Sequence, residues 1–225
     1  MRSTTALAAP DPIAQFPLTS PGSKTYDRLR EFVTSVGGRM QTRPMDDAVD
    51  PDLIETSVDI SRPGDGGVDV LRQFSASIGY SVESGLDEIG SVSGWIGWRI
   101  DDEDLLDATD AISSDAERLG TAALAIIDAH PDALIDNVLL IDRMHLAPQW
   151  RGNRLSGAII ADLLSLLRLD ADSTVVVLQP EPQQSTGGPI DDGAERDKAL
   201  ARLTSAYRAS GLEPWRQSVV WWLPF

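Results

Sequence analysis

The segment from Val138 to Gln179 constrains the fold of this chain more than any other. Apolar residues run from Val138 to Leu146, and a β-branched run covers Thr174 to Gln179, so both predict buried strands. The spacing between them predicts a helix over Leu155 to Leu167 whose inward face carries Leu155, Ile159, Leu163, Leu166 and Leu167. Strand, helix and strand in this order predict a βαβ unit with parallel strands and a right-handed crossover. The chain is therefore predicted to be an α/β protein (α+β, mixed sheet).

The first strand of this unit is joined to the helix by a loop that favours anion binding. The loop and its flanks have the sequence Leu146-Ala147-Pro148-Gln149-Trp150-Arg151-Gly152-Asn153-Arg154-Leu155-Ser156. A helix start has four unpartnered backbone N–H groups and the positive end of the helix dipole, so it attracts phosphate. Gly152 lets the main chain approach a ligand closely. The loop matches neither the GxGxxG spacing of a dinucleotide site nor the GxxxxGK[ST] of a P-loop.

The loop resembles the signature of the Gcn5-related N-acetyltransferase (GNAT) superfamily, which is Gln or Arg, two residues, Gly, one residue, then Gly or Ala. Gln149-Trp150-Arg151-Gly152-Asn153 fits this pattern, and Leu146 to Gly152 fits the usual lead-in. The resemblance implies a GNAT-like acyl-CoA N-acyltransferase fold with acetyl-CoA as co-substrate. The CoA-binding residues that it implies are Leu146, Gln149, Trp150, Arg151, Gly152, Asn153, Arg154, Leu155 and Ser156. The chain departs from the family at Arg154, which either contributes a cation or obstructs the pyrophosphate.

Acyl transfer from a thioester to an amine requires an N–H donor for the carbonyl and an acid for the departing thiolate. The resemblance implies that a backbone N–H near Leu146 faces the carbonyl. It also implies that Tyr207, in Ala206-Tyr207-Arg208-Ala209-Ser210-Gly211-Leu212, protonates the thiolate. The alternative for Tyr207 is a packing role, with its ring in the core and its hydroxyl at the rim.

The same reaction also requires a base for the amine. Asp142 is the first candidate, because an unpaired carboxylate in an apolar strand is costly and a raised pKa would suit proton transfer. An ion pair with Arg143 or a solvent-facing position is the alternative for this residue. His145 is the second candidate, since histidine titrates in the useful range. Their spacing puts the two on opposite faces of the strand, so only one can face the ligand directly.

Composition bounds the classes of function. With 225 residues, 24.3 kDa and 42% hydrophobic residues, the chain suits one large domain. The absence of cysteine and the presence of only two histidines, His130 and His145, exclude disulfides, a thiolate nucleophile and Cys- or His-rich metal sites. The net charge of −16 argues against nucleic acid as a partner.

The expected location is the cytoplasm, with no membrane partner. No apolar run approaches the ~20 residues needed to cross a bilayer. The stretch from Thr4 to Phe16 is too short, too acidic and too interrupted by proline to be a signal peptide.

The first half of the chain contains few clear elements. Residues 1–24 are rich in proline and predict a flexible arm, while 25–225 is predicted to be one acetyltransferase-like domain whose motifs occupy 73–225. Tyr26 to Val36 has helical spacing. Gln73 to Glu83 and Ile89 to Ile100 predict an antiparallel hairpin. Residues 40–70 have poor periodicity and suggest no function.

The second half continues with an acidic run, Asp101 to Asp110, which is predicted to be an exposed surface segment. A capping box at Ser114 to Glu117 predicts a helix that ends near His130 and looks like an insertion before the CoA strand. The last predicted elements are a loop over Gln183 to Asp197, a helix over Lys198 to Ser210 capped by Gly211, and a strand over Gln217 to Leu223.

These features predict an N-acyltransferase that moves an acetyl or other acyl group from CoA to a small-molecule or protein amine by direct attack. No covalent enzyme intermediate is expected, because the chain has no cysteine and no serine in a nucleophile elbow. One alternative is a catalytically silent GNAT-fold protein that acts as a CoA-binding sensor or protein-interaction module. Another is an α/β binding domain in which Arg151 and Arg154 pair with acids. Trp221-Trp222 is expected to be exposed and suits a homodimer contact.

Overall fold

A seven-stranded mixed β-sheet organises the computed structural model, which describes residues 49–61, 70–83, 85–184 and 188–225. The strands, numbered in chain order, are β1 (Ile54–Ile60), β2 (Leu71–Val82), β3 (Gly85–Trp98), β4 (Asn137–Leu146), β5 (Thr174–Leu178), β6 (Glu213–Pro214) and β7 (Trp221–Leu223). Their order in the sheet is β1-β2-β3-β4-β5-β7-β6. The β4–β5 pair is parallel and its neighbours are antiparallel. The α/β class is thereby confirmed, while the predicted arm over 1–24 and the predicted helix over 26–36 lie outside the described residues.

Helices cover both faces of the sheet. They are α1 (Asp102–Asp110), α2 (Ser114–Ala129), α3 (Ser156–Leu166) and α4 (Ala194–Ala209). Leu139 and Ile141 of β4 share a core with residues of α3 and α4, while Val138 and Leu140 share a core with residues of α1 and α2. Apolar side chains on both faces explain why β4 is a nearly continuous hydrophobic run. No helix in the described part of the chain has both the length and the apolar character for crossing a membrane.

The strands β4 and β5 pair over only half the length of β4. Their parallel register begins at Asn137 and Thr174 and ends at Ile141 and Leu178, which confirms the predicted parallel pair. Proline at position 180 has no N–H to donate, so it cannot extend the ladder. Beyond Ile141, β4 continues to Leu146 paired with β3 alone. The half of β4 beyond Ile141 therefore extends past the end of β5 and has one edge without a neighbouring strand.

A β-bulge lies just beyond the last β4–β5 pair. Ser93 of β3 pairs with Arg143, and Gly94 pairs with Ile141, so Asp142 is the extra residue on β4. Bulges bend a strand and increase its twist. The bulge therefore helps to direct the second half of β4 away from β5.

The helix α3 matches its predicted range to within one residue at each end. Leu155, Ile159, Leu163 and Leu167 are buried as predicted, but Leu166 is 52% exposed, so its predicted inward position is wrong. Ile160 and Leu164 are also buried. Around the helix axis, the middle of the buried face lies between Leu163 on one side and Ile160 and Leu164 on the other. At 100° per residue Leu166 lies at the margin of that face.

The acidic run from Asp101 to Asp110 is largely exposed, as predicted for a surface segment, but it forms a helix that was not predicted. The carboxylate of Asp101 accepts a hydrogen bond from Glu103 N (3.2 Å) and caps the first turn. Leu105 and Thr109, one turn apart, are fully buried against α2. A Cβ at Gly120 would collide with the Thr109 side chain, so glycine permits this close approach of the two helices. Two buried side chains in an acidic sequence were too few to give a recognisable helical periodicity.

The helix α2 begins at Ser114, so its N-cap lies one position before the predicted capping box. Its N-cap is Ser113, whose hydroxyl accepts a hydrogen bond from Ala116 N (3.1 Å). Ala116, Leu119, Ala123 and Ile126 are buried on one face of the helix, whereas Ile127 is only partly buried. Together α1 and α2 occupy the position where a single helical insertion was predicted.

The hairpin of β2 and β3 is antiparallel as predicted, although its strands begin at Leu71 and Gly85. The strand β1 was not predicted. It pairs along its full length with β2, from Ile54 opposite Tyr80 to Ile60 opposite Phe74. Its sequence mixes acidic and small polar residues with three β-branched aliphatic residues, so strand pairing rather than local propensity determines its conformation.

The C-terminal segment differs from its prediction in three respects. The helix α4 begins at Ala194, inside the segment predicted as a loop, and ends at the predicted Gly211 cap, where φ is 86°. The final strand is only three residues long and pairs with β6. Trp221 and Trp222 are 6% and 8% exposed, so the expected exposed end is wrong. Trp222 packs against His130 and Phe225, which fills the end of the core with aromatic rings.

The acidic helix provides a test of the packing. Replacing Leu105 by alanine removes a fully buried side chain and is expected to lower the free energy of unfolding by about 2 to 5 kcal/mol. The matched variant Leu106→Ala changes a neighbour that is 40% exposed and should cost under about 1 kcal/mol. Urea denaturation of both variants measures the difference. Equal losses would show that α1 does not pack through Leu105.

Candidate functional site

A cleft of about 970 Å³ lies where the pairing of β4 and β5 ends. One wall is the end of β4, the following loop and the start of α3. The opposite wall is α4, and the floor includes residues that follow β5. A ligand in this cleft would contact the loop that sequence analysis selected for anion binding.

The loop turns sharply before it enters α3. A 3-10 turn spans Pro148–Trp150, and Gly152 has φ of 87°, a left-handed conformation that glycine adopts without strain. Arg154 also has positive φ, 60°, at the position where the GNAT signature has Gly or Ala. The N-cap of α3 is Leu155, which provides no side-chain hydrogen bond. The first backbone N–H groups of α3 therefore have no side-chain cap where the helix borders the cleft.

The nine predicted CoA-binding residues divide into two groups. Those that line the cleft are Leu146, Arg151, Gly152, Arg154, Leu155 and Ser156. Gln149, Trp150 and Asn153 are not among the residues that line it. The Trp150 ring lies 4.6 Å from that of Tyr80, and its carbonyl accepts a hydrogen bond from Asn153 Nδ2 (3.1 Å). These contacts attach the loop to the sheet and fix its shape.

Arg151 connects the loop to the end of β4. Its Nε donates to Leu146 O (2.7 Å), and its Nη2 contacts His145 Nε2 (3.1 Å). A guanidinium group has only donors, so Nε2 of His145 must be the acceptor and the imidazole is neutral. Partial burial lowers the pKa of His145 below its ordinary value, and the positive charge of Arg151 lowers it further.

The backbone of Leu146 faces the open edge of β4. Ala147 N donates to Ile89 O of β3 (2.8 Å), and backbone groups alternate in direction along a strand, so the Leu146 N–H points away from β3. The Leu146 carbonyl, which points the same way, accepts the Arg151 hydrogen bond. The Leu146 N–H lies beyond the last β4–β5 pair and points toward the position that β5 would occupy if that strand were longer.

Tyr207 lines the cleft from α4 and is only 3% exposed. Its ring packs 6.5 Å from that of Trp221, which agrees with the packing role weighed for it. Burial raises the pKa of the Tyr207 phenol well above its ordinary value, so the group keeps its proton at neutral pH. A protonated phenol is a hydrogen-bond donor, and its raised pKa makes it a weaker acid than a phenol in water.

Asp142 is not among the residues that line the cleft. Its carboxylate forms an ion pair with Arg143 Nε (3.4 Å), the alternative weighed from the sequence. Burial raises the pKa of Asp142, Arg143 opposes that effect, and the negative charge of Asp115 in α2 adds to it. The influence of Asp115 is consistent with a position toward the α2 side of the sheet. Tyr207 and His145 are thus brought to one cleft, and Asp142 is not.

Basic residues on α4 were missed by sequence analysis. Lys198 and Arg202, four positions apart on the helix, line the cleft opposite Arg151 and Arg154. No salt bridge of Arg154, Lys198 or Arg202 is found among the described residues, although Asp and Glu outnumber Lys and Arg by 35 to 19. Lysine occurs only at positions 24 and 198. The scarcity of lysine was the feature of the sequence that could have marked Lys198 as a site residue.

Glu181, just after β5, was also missed. It is the acidic side chain that lines the cleft, and it forms hydrogen bonds with Arg196 Nη2 through both carboxylate oxygens (3.1 and 3.2 Å). This bidentate pair joins the end of β5 to the first turn of α4. The net charge of the lining side chains is positive, because four basic residues line the cleft against this one glutamate, which Arg196 also neutralises.

Comparison of the chain with protein-family models, with curated proteins and with solved structures gave no match. The chemistry of the cleft is therefore inferred from its own residues.

The surroundings of Asp142 predict a pH-dependent stability effect. Its pKa is raised in the folded protein, so the stability associated with this group is fully present below the unfolded pKa and is lost as pH rises through the folded value. Asp142→Asn imitates the neutral form and is expected to raise the free energy of unfolding at pH 7. The gain should shrink as pH falls toward 4. Denaturation at several pH values tests this, and a gain that is independent of pH would contradict the assigned cause.

Proposed function

We propose that this protein is an N-acyltransferase that transfers an acyl group from CoA to an amine. The observation that carries the proposal is the charge of the cleft. In a chain of net charge −16, four basic side chains meet on two walls of one cleft, beside a helix start without a side-chain cap. This combination suits a ligand with several phosphate groups.

A GNAT-like fold is part of the proposal. The GNAT resemblance implies that the CoA-binding strand is parallel to its neighbour across the βαβ unit and splays from it. The parallel register of β4 and β5 and its end at Ile141 support that inference. The pantetheine arm of CoA would lie in the gap, with the pyrophosphate at Gly152 and the first turn of α3.

The residues of the cleft provide the groups that acyl transfer requires. His145 accepts the proton of the amine, whose nitrogen then attacks the thioester carbonyl carbon. The N–H of Leu146 donates a hydrogen bond to the carbonyl oxygen, where negative charge develops. Tyr207 donates its proton to the thiolate as the carbon–sulfur bond breaks and the carbon–nitrogen bond remains. The acyl group passes directly to the amine, since the chain has no cysteine and no serine in a nucleophile elbow to carry it.

A CoA-binding sensor without catalytic activity is the second candidate. The contact between Arg151 and His145 favours it, because Nε2 of His145 is already engaged and Asp142 does not line the cleft. The sensor would bind CoA and acetyl-CoA with similar affinity and would release no thiol in the presence of amines. Binding and turnover therefore separate the two candidates.

Two variants of Gly152 test the position of the pyrophosphate. Gly152→Glu and Gly152→Gln impose the same strain at φ of 87° and add side chains of similar size into open space. The variants differ in charge, so the glutamate should weaken CoA binding about tenfold or more relative to glutamine, which corresponds to about 1.4 kcal/mol. Isothermal titration of wild type and both variants measures the affinities. Equal affinity for CoA in the two variants would mean that the pyrophosphate binds elsewhere, and no binding by the wild type at millimolar CoA would refute the proposal.

Three conservative variants test the assigned roles. Tyr207→Phe and His145→Gln each remove one proton-transfer group and should lower kcat by roughly 100-fold or more. Asp142→Asn should leave kcat within about threefold of wild type, because Asp142 does not line the cleft. The assay is thiol release from acetyl-CoA with a library of amines. A large loss in Asp142→Asn with His145→Gln unaffected would reverse the assignment of the base.

A further inference from the structure

Arg151 makes two contacts that a residue serving only as a phosphate ligand would not need. Its Nε donates to the carbonyl of Leu146 (2.7 Å), and its Nη2 donates to Nε2 of His145 (3.1 Å). The first contact fixes the guanidinium group beside β4, and the second engages the lone pair of the imidazole. Both contacts lie in the cleft that would receive CoA.

The state of His145 follows from the chemistry of the guanidinium group. Arginine keeps its charge at any pH at which the protein is folded and has five N–H donors and no acceptor. His145 Nε2 can therefore accept this bond only without a proton, and any proton on the ring is on Nδ1. In this state Nε2 of His145 has no proton, as a general base requires, but the hydrogen bond from Arg151 engages the lone pair of Nε2.

The other charged groups of the cleft do not provide an equivalent contact. Arg154, Lys198 and Arg202 line the cleft, and no hydrogen bond between them and His145 is found in the described part of the chain. Glu181 is paired with Arg196, and the neighbouring Arg143 is paired with Asp142. Tyr207 lines the same cleft with its proton retained.

A bound pyrophosphate changes the competition for Arg151. In a guanidinium–phosphate hydrogen bond both partners are charged, whereas in the bond from Arg151 to His145 only the donor is charged, because a neutral imidazole is the acceptor. Arg151 immediately precedes Gly152, so its side chain lies within reach of a pyrophosphate at the loop. Release of His145 requires that the phosphate oxygens take the Nη2 hydrogen that now bonds Nε2, because the guanidinium group has other N–H donors that could bind phosphate without it.

We propose that Arg151 is a positioning residue that keeps the lone pair of His145 occupied in the free protein and releases it when a pyrophosphate group binds at the loop. This inference rests on the proposed function and adds an order to it, with the acyl donor binding before the base becomes available. After release, Nε2 of His145 takes one proton from the ammonium form of the acceptor, which leaves a neutral amine for the attack on the thioester carbonyl carbon. Without a bound acyl-CoA the base is unavailable, so the protein does not deprotonate amines unproductively.

The chain is well suited to a direct test because it has only two histidines. NMR of the imidazole groups gives one titration curve for His145 and one for His130, which packs against Trp222 and Phe225 far along the sheet and reports on folding. The titrations are made on wild type, Arg151→Met and Arg154→Met, each with and without CoA. Arg154→Met is the matched control, since it removes a cation from the same loop without altering the His145 contact.

In the free protein the pKa of His145 should rise in Arg151→Met and move less in Arg154→Met. Addition of CoA should raise the pKa of His145 in wild type and in Arg154→Met, and should raise it less in Arg151→Met, where no contact remains to be released. An unchanged pKa of His145 in free Arg151→Met would overturn the proposal, and so would CoA binding to wild type without a shift. If Arg151→Met loses the folded His130 signal, Arg151→Lys takes its place, because it keeps the charge and loses the fork that reaches both partners.

The outcomes also separate this inference from the proposed function. If wild type binds CoA and releases thiol with amines while His145 is insensitive to Arg151, the coupling is wrong and the acyltransferase assignment stands. If wild type fails to bind CoA at millimolar concentration, the proposed function fails, and the titration of the free variants still reports on the Arg151 contact.

Discussion

The end of the hydrogen-bonded pairing between β4 and β5 is the constraint on which the rest of the cleft depends. Up to Ile141 and Leu178 the two strands satisfy each other's backbone groups, and beyond that point they do not. The proline after β5 prevents the ladder from continuing, and the bulge at Asp142 turns β4 away. Backbone groups on an open edge need other partners, and Arg151 provides one for Leu146. The same edge is where a ligand with amide groups of its own could bind.

The charge of the cleft distinguishes it from the rest of this acidic protein. A protein with 35 acidic and 19 basic residues would repel a polyanion over most of its surface. The cleft is an exception, because its cations come from two separate elements and its glutamate is neutralised by Arg196. A local reversal of charge in an acidic protein needs an explanation, and a phosphorylated ligand provides one. Partial burial lowers the pKa of His145, and the positive charge of Arg151 lowers it further, so both disfavour protonation of the imidazole.

Local sequence patterns were sufficient for the parts of the fold that depend on them. The buried strands β4 and β5, the glycine turn and α3 have strong apolar periodicity or a required backbone conformation, so they were predicted to within a residue or two. The strand β1 and the helix α1 were missed because their apolar residues are few and only their neighbours in space stabilise them. Lys198 and Arg202 were missed as site residues for a related reason. They are distant from the loop in sequence, and only the tertiary fold brings α4 to the other wall of the cleft.

The bulge at Asp142 also decides which side chains of β4 belong to which layer. Before the bulge, odd-numbered residues such as Leu139 and Ile141 face the core of α3 and α4, and after it the even-numbered Met144 and Leu146 contact that core. The extra residue thus reverses the in-and-out alternation of the strand midway along its length. If Asp142 were instead an ordinary paired residue of a regular strand, with no bulge, Met144 and Leu146 would turn toward the other layer and polar side chains would enter the core in their place. The strand β4 is thus apolar on both faces before the bulge, and beyond it His145 and Leu146 line the cleft.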